Sequence, residues 1–280
     1  MPDSDSLTQE TETIDGVAVG RDGPVVEVVL SRPQVKNALD LTGWQRVAAV
    51  FRELAVMDDS IVIVLRGAAG DFSVGSDISQ FPEHRTGMAL ADHYNTAIDD
   101  ALVAVGDVPH PVIAMISGMA VGGGCELACA ADIRVAAADA RFGVPIALLG
   151  VSIGAVEART LLRALTPGRL KDLLLSGRMI DAAEAYRIGL IDRIVPPAEL
   201  GSATRELAMT VASGAPLAAR ANKLTVNAVA DGTLDRASVR IRALTEAIYE
   251  GPDLQEGIRA FTEKRRAQFG RGPSPATDGD

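Results

Sequence analysis

The sequence predicts an α/β fold: a largely parallel sheet interleaved with helices, followed by a helical C-terminal region. Three observations carry this. Short apolar runs of strand length alternate with helix-periodic segments up to about residue 195, as expected of βαβ units whose strands are covered on both faces. Beyond residue 196 one helical pattern follows another. Between two such units, Gly118 to Glu126 joins a strand-like run to a helix-like run through three consecutive glycines.

The elements follow in order. Val25 to Ser31 is apolar and β-branched and reads as a strand. Trp44, Val47, Ala48, Phe51, Leu54 and Ala55 fall on one helix face. Ile61 to Arg66 is a continuous apolar run and reads as a buried strand. Leu90 to Val105 is helical, and Pro111 to Ser117 is a strand. The glycine segment passes from there into a helix ending at Asp132, and Ile133 to Ala137 is a further short strand. Thr166-Pro167 reads as N-cap and first helical position. Asp181 with Glu184 resembles a capping box, and Gly189 a C-terminal stop. Helical patterns then cover 197–212, 216–230, 234–249 and 253–269. The expected organisation is a core over 14–195 and a helical region over 196–269. The polar tails 1–13 and 270–280 read as disordered. No internal repeat is visible.

Composition narrows the function. The chain has 280 residues, 48% of them hydrophobic, enough for one large domain. Its net charge of −10 and the lack of a basic stripe exclude nucleic acid as an expected partner. No apolar run is long enough to span a membrane. The acidic first residues resemble neither a secretory signal nor a transit peptide. With only Cys125 and Cys129 present, a reducing, cytoplasmic location is expected. These two cysteines lie four apart on one helix face and read as buried small hydrophobes; no metal is expected.

The glycine junction carries the chemistry. Glycines there let another group approach the backbone, and a helix start presents free N–H groups at the positive end of its dipole. Glu126 lies in the first turn. A second small-residue loop, Gly67 to Asp77, follows the strand ending at Arg66. One N–H near Ser76 and one near Gly123 could converge on a carbonyl oxygen, which is how an oxyanion hole is built. Each loop alone also fits an ordinary tight turn, and Glu126 alone fits a helix-start carboxylate favoured by the dipole.

The ordered motifs resemble the enoyl-CoA hydratase/isomerase (crotonase) superfamily. They are Leu-Ser-Arg-Pro-Gln-Val-Lys-Asn-Ala-Leu (30–39), Phe-Ser-Val-Gly-Ser-Asp-Ile (72–78), the segment 111–128, Phe-Gly-Val-Pro (142–145), 175–185 and 256–265. The resemblance runs from about Val25 to Phe269. It implies a ββα spiral core with a C-terminal helical region that trimerises, giving a homotrimer or a dimer of trimers. It implies an acyl-CoA thioester substrate and no separate cofactor, CoA being part of the substrate. Ser76 and Gly123 match the family's oxyanion-hole amides, and Glu126 its water-activating glutamate. Ser76, Asp77, Ile78 and Gly123 would seat the thioester. Phe261 and Lys264 match positions that reach a neighbouring subunit's CoA, although Lys264 also reads as a solvated helix residue.

One departure matters. The family's hydratases carry a second glutamate directly after Phe-Gly-x-Pro, where this chain has Ile146. A positioned acid or base is worth about 10²–10⁴ in rate. Three readings remain. Another group supplies the proton, Glu157 being the nearest downstream carboxylate. A single base suffices for shifting a double bond. Or the protein binds acyl-CoA without turning it over. Gly150-Val-Ser-Ile-Gly154 fits the nucleophile-elbow pattern of serine hydrolases. Yet His84, His93 and His110 all precede Ser152, so the chain order of that triad is not met.

Overall fold

A computed structural model describes residues 12–57 and 61–270. The expected disorder of 1–11 and 271–280 lies outside the described residues. Thr13, expected in the polar tail, instead opens the first strand.

The chain begins with β1 (Thr13–Ile14), β2 (Val17–Asp22) and β3 (Val25–Leu30), then α1 (Leu41–Ala55) and β4 (Val62–Gly67). A short α2 (Phe81–His84) and the long α3 (Met88–Asp107) lead to β5 (Val112–Ile116) and β6 (Met119–Val121). Next come α4 (Gly123–Ala130), β7 (Ile133–Ala137), β8 (Arg141–Gly143), α5 (Ala155–Leu162) and α6 (Pro167–Ser176). They are followed by β9 (Ile180–Asp181), α7 (Ala182–Ile188) and β10 (Arg193–Val195). Four helices close the chain: α8 (Leu200–Ala212), α9 (Pro216–Ala230), α10 (Leu234–Glu250) and α11 (Pro252–Thr262).

Among the described residues, the strands form two sheets. The larger runs β1-β2-β3-β4-β5-β7-β10. Its first three strands are antiparallel and the rest parallel. Side chains alternate between its faces. Ile63 and Leu65 pack into the main core, while Val62 and Val64 face the other way onto Leu207 and Ala208 of α8. Burial on both faces is why β4 reads as an unbroken apolar run.

The smaller sheet is β6-β8-β9, extended by single bridges from Leu39 to Ser76 and from Ser73 to Ala120. Each turn of the chain therefore gives a strand to the large sheet, a short extended piece to the small one, and a helix. The turns are β3–Leu39–α1, β4–Ser73–α3, β5–β6–α4 and β7–β8–α5. This is the ββα spiral. It is a repeat of backbone path, and no residue pattern recurs with it.

Two expectations need correction. The glycine segment does not run straight from strand to helix: β6 is inserted, because Met119 to Val121 pairs with β8. The last helix ends at Thr262 rather than near 269. Lys264 takes a left-handed φ of 55° there, and Glu256 draws the chain back by accepting from Arg265 and from the Gln268 N–H. The Asp181–Glu184 motif is half formed: Asp181 accepts from the Glu184 N–H, while the Glu184 carboxylate binds Arg178.

Candidate active site

The loops after β4 and β6 meet at the carboxyl ends of the parallel strands. A buried asparagine ties the first of them down. Asn37 donates to the carbonyls of Ala68 and Asp71 and accepts from the Arg32 N–H. Ser73 donates to the Asn37 carbonyl and accepts from the Gly75 N–H. The Lys-Asn-Ala-Leu motif is thus a clamp on the 67–76 loop.

The three glycines are required by the protein's own packing. A Cβ on Gly123 would meet the Trp44 ring at 2.7 Å, and one on Gly124 would collide with the Ser73 carbonyl. Gly122, at φ 54°, turns the chain into α4. Gly75 abuts Gly123 so closely that a Cβ there would meet the Gly123 nitrogen at 2.6 Å. Trp44 braces both loops, since its indole N–H donates to the Ser76 hydroxyl at 3.2 Å.

What this packing leaves unspent is two main-chain donors. Neither the Ser76 N–H nor the Gly123 N–H finds an acceptor among the described residues, and both residues line one cleft of about 90 Å³. Glu126 lines it too. Its side chain is 3% exposed and makes no hydrogen bond among the described residues. Burial, reinforced by the charge of Glu157 and by Cys129 and Asp99, pushes its carboxyl up to about 8, against the pull of Arg85.

Glu157 enters the same cleft from the first turn of α5. It is 7% exposed, and one carboxylate oxygen accepts from the Gly154 N–H at its own helix start. Burial, with Asp99, raises its carboxyl above the usual range, while the Gly154 N–H and Arg85 oppose that. Ile146 lines the same cleft as apolar surface, packed partly on the core.

Ser76, Ile78, Gly123 and Glu126 therefore meet in one cleft. Asp77 does not join them. It accepts from Ser79 and pairs with Arg32 at 3.2 Å, fixing the loop from behind. Phe261 and Lys264 lie elsewhere on this chain. Phe261 is 88% exposed on a groove between α9, α10 and α11. Ser152 lines the cleft from an irregular segment that no strand precedes, and no histidine lines that cleft. Sequence reading missed two residues outright: Arg85, a cation on the cleft wall, and Trp44 as the brace of both loops. Cys125 and Cys129 are free and buried.

The sequence pattern of the enoyl-CoA hydratase/isomerase family matches residues 20–272. The chain is similar to a probable enoyl-CoA hydratase of Mycobacterium tuberculosis, 35% identical over 92% of this chain and 98% of the relative. It is similar to a crotonyl-CoA hydratase of Syntrophomonas wolfei, 32% identical over 91% and 98%. A crystal structure of an enoyl-CoA hydratase/isomerase family protein from Hyphomonas neptunium superposes with a TM-score of 0.84 at 35% identity, covering 91% of this chain and 97% of that one.

Proposed function

The chain belongs to the enoyl-CoA hydratase/isomerase family, and from that premise we propose that it hydrates 2-enoyl-CoA thioesters using a carboxylate pair, Glu126 from α4 and Glu157 from α5. The observation that carries this is the presence of two unpaired amides, Ser76 N–H and Gly123 N–H, on the same small cleft as two buried glutamates.

The chemistry follows from that set. The thioester oxygen accepts from both amides, which stabilise the negative charge that develops on it. One ionised carboxylate takes a proton from water as the water oxygen bonds to C3. The C2=C3 electrons move to the thioester oxygen as an enolate. The protonated carboxyl then delivers its proton to C2, so one water is added overall. Two interacting carboxyls titrate as a pair. The active form is the one holding a single proton between them, and raised values keep that form populated near neutral pH. A lone base would support only movement of the double bond; the second carboxylate favours hydration.

The C-terminal helices are read as the trimer-forming region, with Phe261 and Lys264 directed to a neighbour's CoA. In support, α10 has no fully buried residue, and Ile248, Leu254, Ile258 and Phe261 line an apolar groove left open on this chain.

The test is steady-state turnover of crotonyl-CoA. The wild type is expected to turn over repeatedly, and Glu126→Gln to lower kcat by about 10²–10⁴. Undiminished turnover in that variant would sink the proposal in favour of another site.

A further inference from the structure

Arg85 is the only cation among the described residues that line the cleft, and its charge acts on Glu126 and Glu157 there without a direct ion pair to either. Its guanidinium carbon lies 4.8 Å from the Phe81 ring centroid and 5.4 Å from that of Tyr94, two rings set edge to face at 73°. It makes no side-chain hydrogen bond and no ion pair within 4.0 Å among the described residues. Other sheltered arginines of this chain behave differently. Arg32 binds Asp40, Asp77 and the Ala38 carbonyl; Arg66 binds Glu27. Arg134 binds Asp192 and the Ala131 carbonyl, and Arg163 binds Asp231.

A guanidinium carries five donors in a rigid fork suited to a carboxylate. Cation–π contact with two rings holds the guanidinium in place without spending those donors. The cleft's own carboxyls do not use them: Glu126 and Glu157 feel the charge of Arg85 but lie beyond ion-pair and hydrogen-bond range of it. Around the arginine the wall is apolar: Val74, Ile78, Ile98, Ile146 and Val151. A wall of that kind shelters a charge pair from water and strengthens it.

We infer that the acyl group this cleft selects carries a carboxylate at its far end, seated on the Arg85 guanidinium. This rests on the acyl-CoA reading above and adds the substrate class. The CoA phosphates are the other possible anion. They are separated from the thioester by the whole pantetheine arm, whereas Arg85 shares a cleft with the groups assigned to C2 and C3.

The test is calorimetric binding of glutaryl-CoA, pentanoyl-CoA and free CoA to the intact protein. These saturated esters have equal chain length and undergo no hydration, so binding is read apart from chemistry. Glutaryl-CoA should bind at least ~10-fold tighter than pentanoyl-CoA, about one charge-assisted pair's worth of preference. That ratio should fall to near one in Arg85→Gln and recover in part in Arg85→Lys, with unchanged circular dichroism. Equal binding of the two esters by the wild type, or a ratio that survives in Arg85→Gln, overturns the inference and leaves the acyl-CoA reading standing. An equal weakening of free CoA by Arg85→Gln also overturns it, since the arginine would then be reading phosphate. Failure of all three ligands to bind overturns the acyl-CoA reading itself, and the inference with it.

Discussion

The two walls of the cleft are made of different material. One is main chain: the Ser76 and Gly123 amides, held by Asn37, Trp44 and glycines that no side chain could replace. The other is side chain: Glu126, Glu157, Arg85 and Ile146, projecting from three separate helices and a turn. The first wall is a by-product of packing. Its donors cannot be substituted, only displaced. The second can change residue by residue while the fold stands. Under the proposed mechanism it has done so: the side chain at position 146 is isoleucine, and the second carboxylate is assigned to Glu157 of α5. On the present reading, the amide wall fixes the class of chemistry and the side-chain wall selects the reaction and the acyl group.

Breaking the main-chain wall should cost most. In Gly123→Ala the new methyl meets the Trp44 ring at 2.7 Å, so the amide must shift. A lost oxyanion donor is worth about 10²–10³ in kcat, and overpacking adds roughly 1–3 kcal/mol of destabilisation. Steady-state kinetics with a thermal melt separates the two. A variant that melts lower but keeps full kcat would remove Gly123 from the chemistry.

Altering the side-chain wall at Ile146 sharpens the contrast. If Glu157 already supplies the second carboxyl, Ile146→Glu puts a third, half-buried carboxylate on a cleft wall that already holds two that repel. The expected result is a several-fold fall in crotonyl-CoA hydration. A rise would mean that Glu157 is no substitute and that the missing residue was limiting.

The last effect is on stability rather than rate. The Glu126 carboxyl is raised from 4.5 to about 8 in the folded protein. Between those values the folded state holds a proton that the unfolded state releases, so stability falls as pH rises through that window. Glu126→Gln removes that penalty. Its melting temperature should exceed the wild type's at pH 8.5, with the gap closing toward pH 4.5. A gap independent of pH would mean that Glu126 is not buried in its folded, protonated form.

How legible the two walls were in the sequence follows the same division. The Gly122–Gly124 triplet and the Asn37 motif announce themselves, because backbone geometry demands particular residue types. The parallel strands were legible for a related reason: burial on both faces leaves Ile61 to Leu65 apolar throughout. The short β6, β8 and β9 were not. Three residues or fewer are too few for a period, and their pairing is set by partners distant in sequence. The direction of Glu157 was equally hidden, since it depends on how α5 meets α4. Arg85 gave no signal at all: a lone arginine after a short helix acquires meaning only when Phe81 and Tyr94 pack against it. Helix α11 was overextended because its charged periodicity continues past Thr262, while the Glu256 contacts to Arg265 and Gln268 fold the chain back.

The pH dependence of kcat/KM for crotonyl-CoA hydration, in the wild type and in Glu157→Gln, tests the carboxylate pair most directly. The pair predicts a wild-type rate that falls above about pH 8, where the shared proton is lost. It predicts for Glu157→Gln a fall of ~10² or more together with a downward shift of that upper limb, because burial, the larger cause, still raises Glu126 but the Glu157 charge no longer adds to it. A Glu157→Gln enzyme with the wild-type rate and an unmoved limb would contradict it, leaving Glu157 as no more than the cap of its own helix.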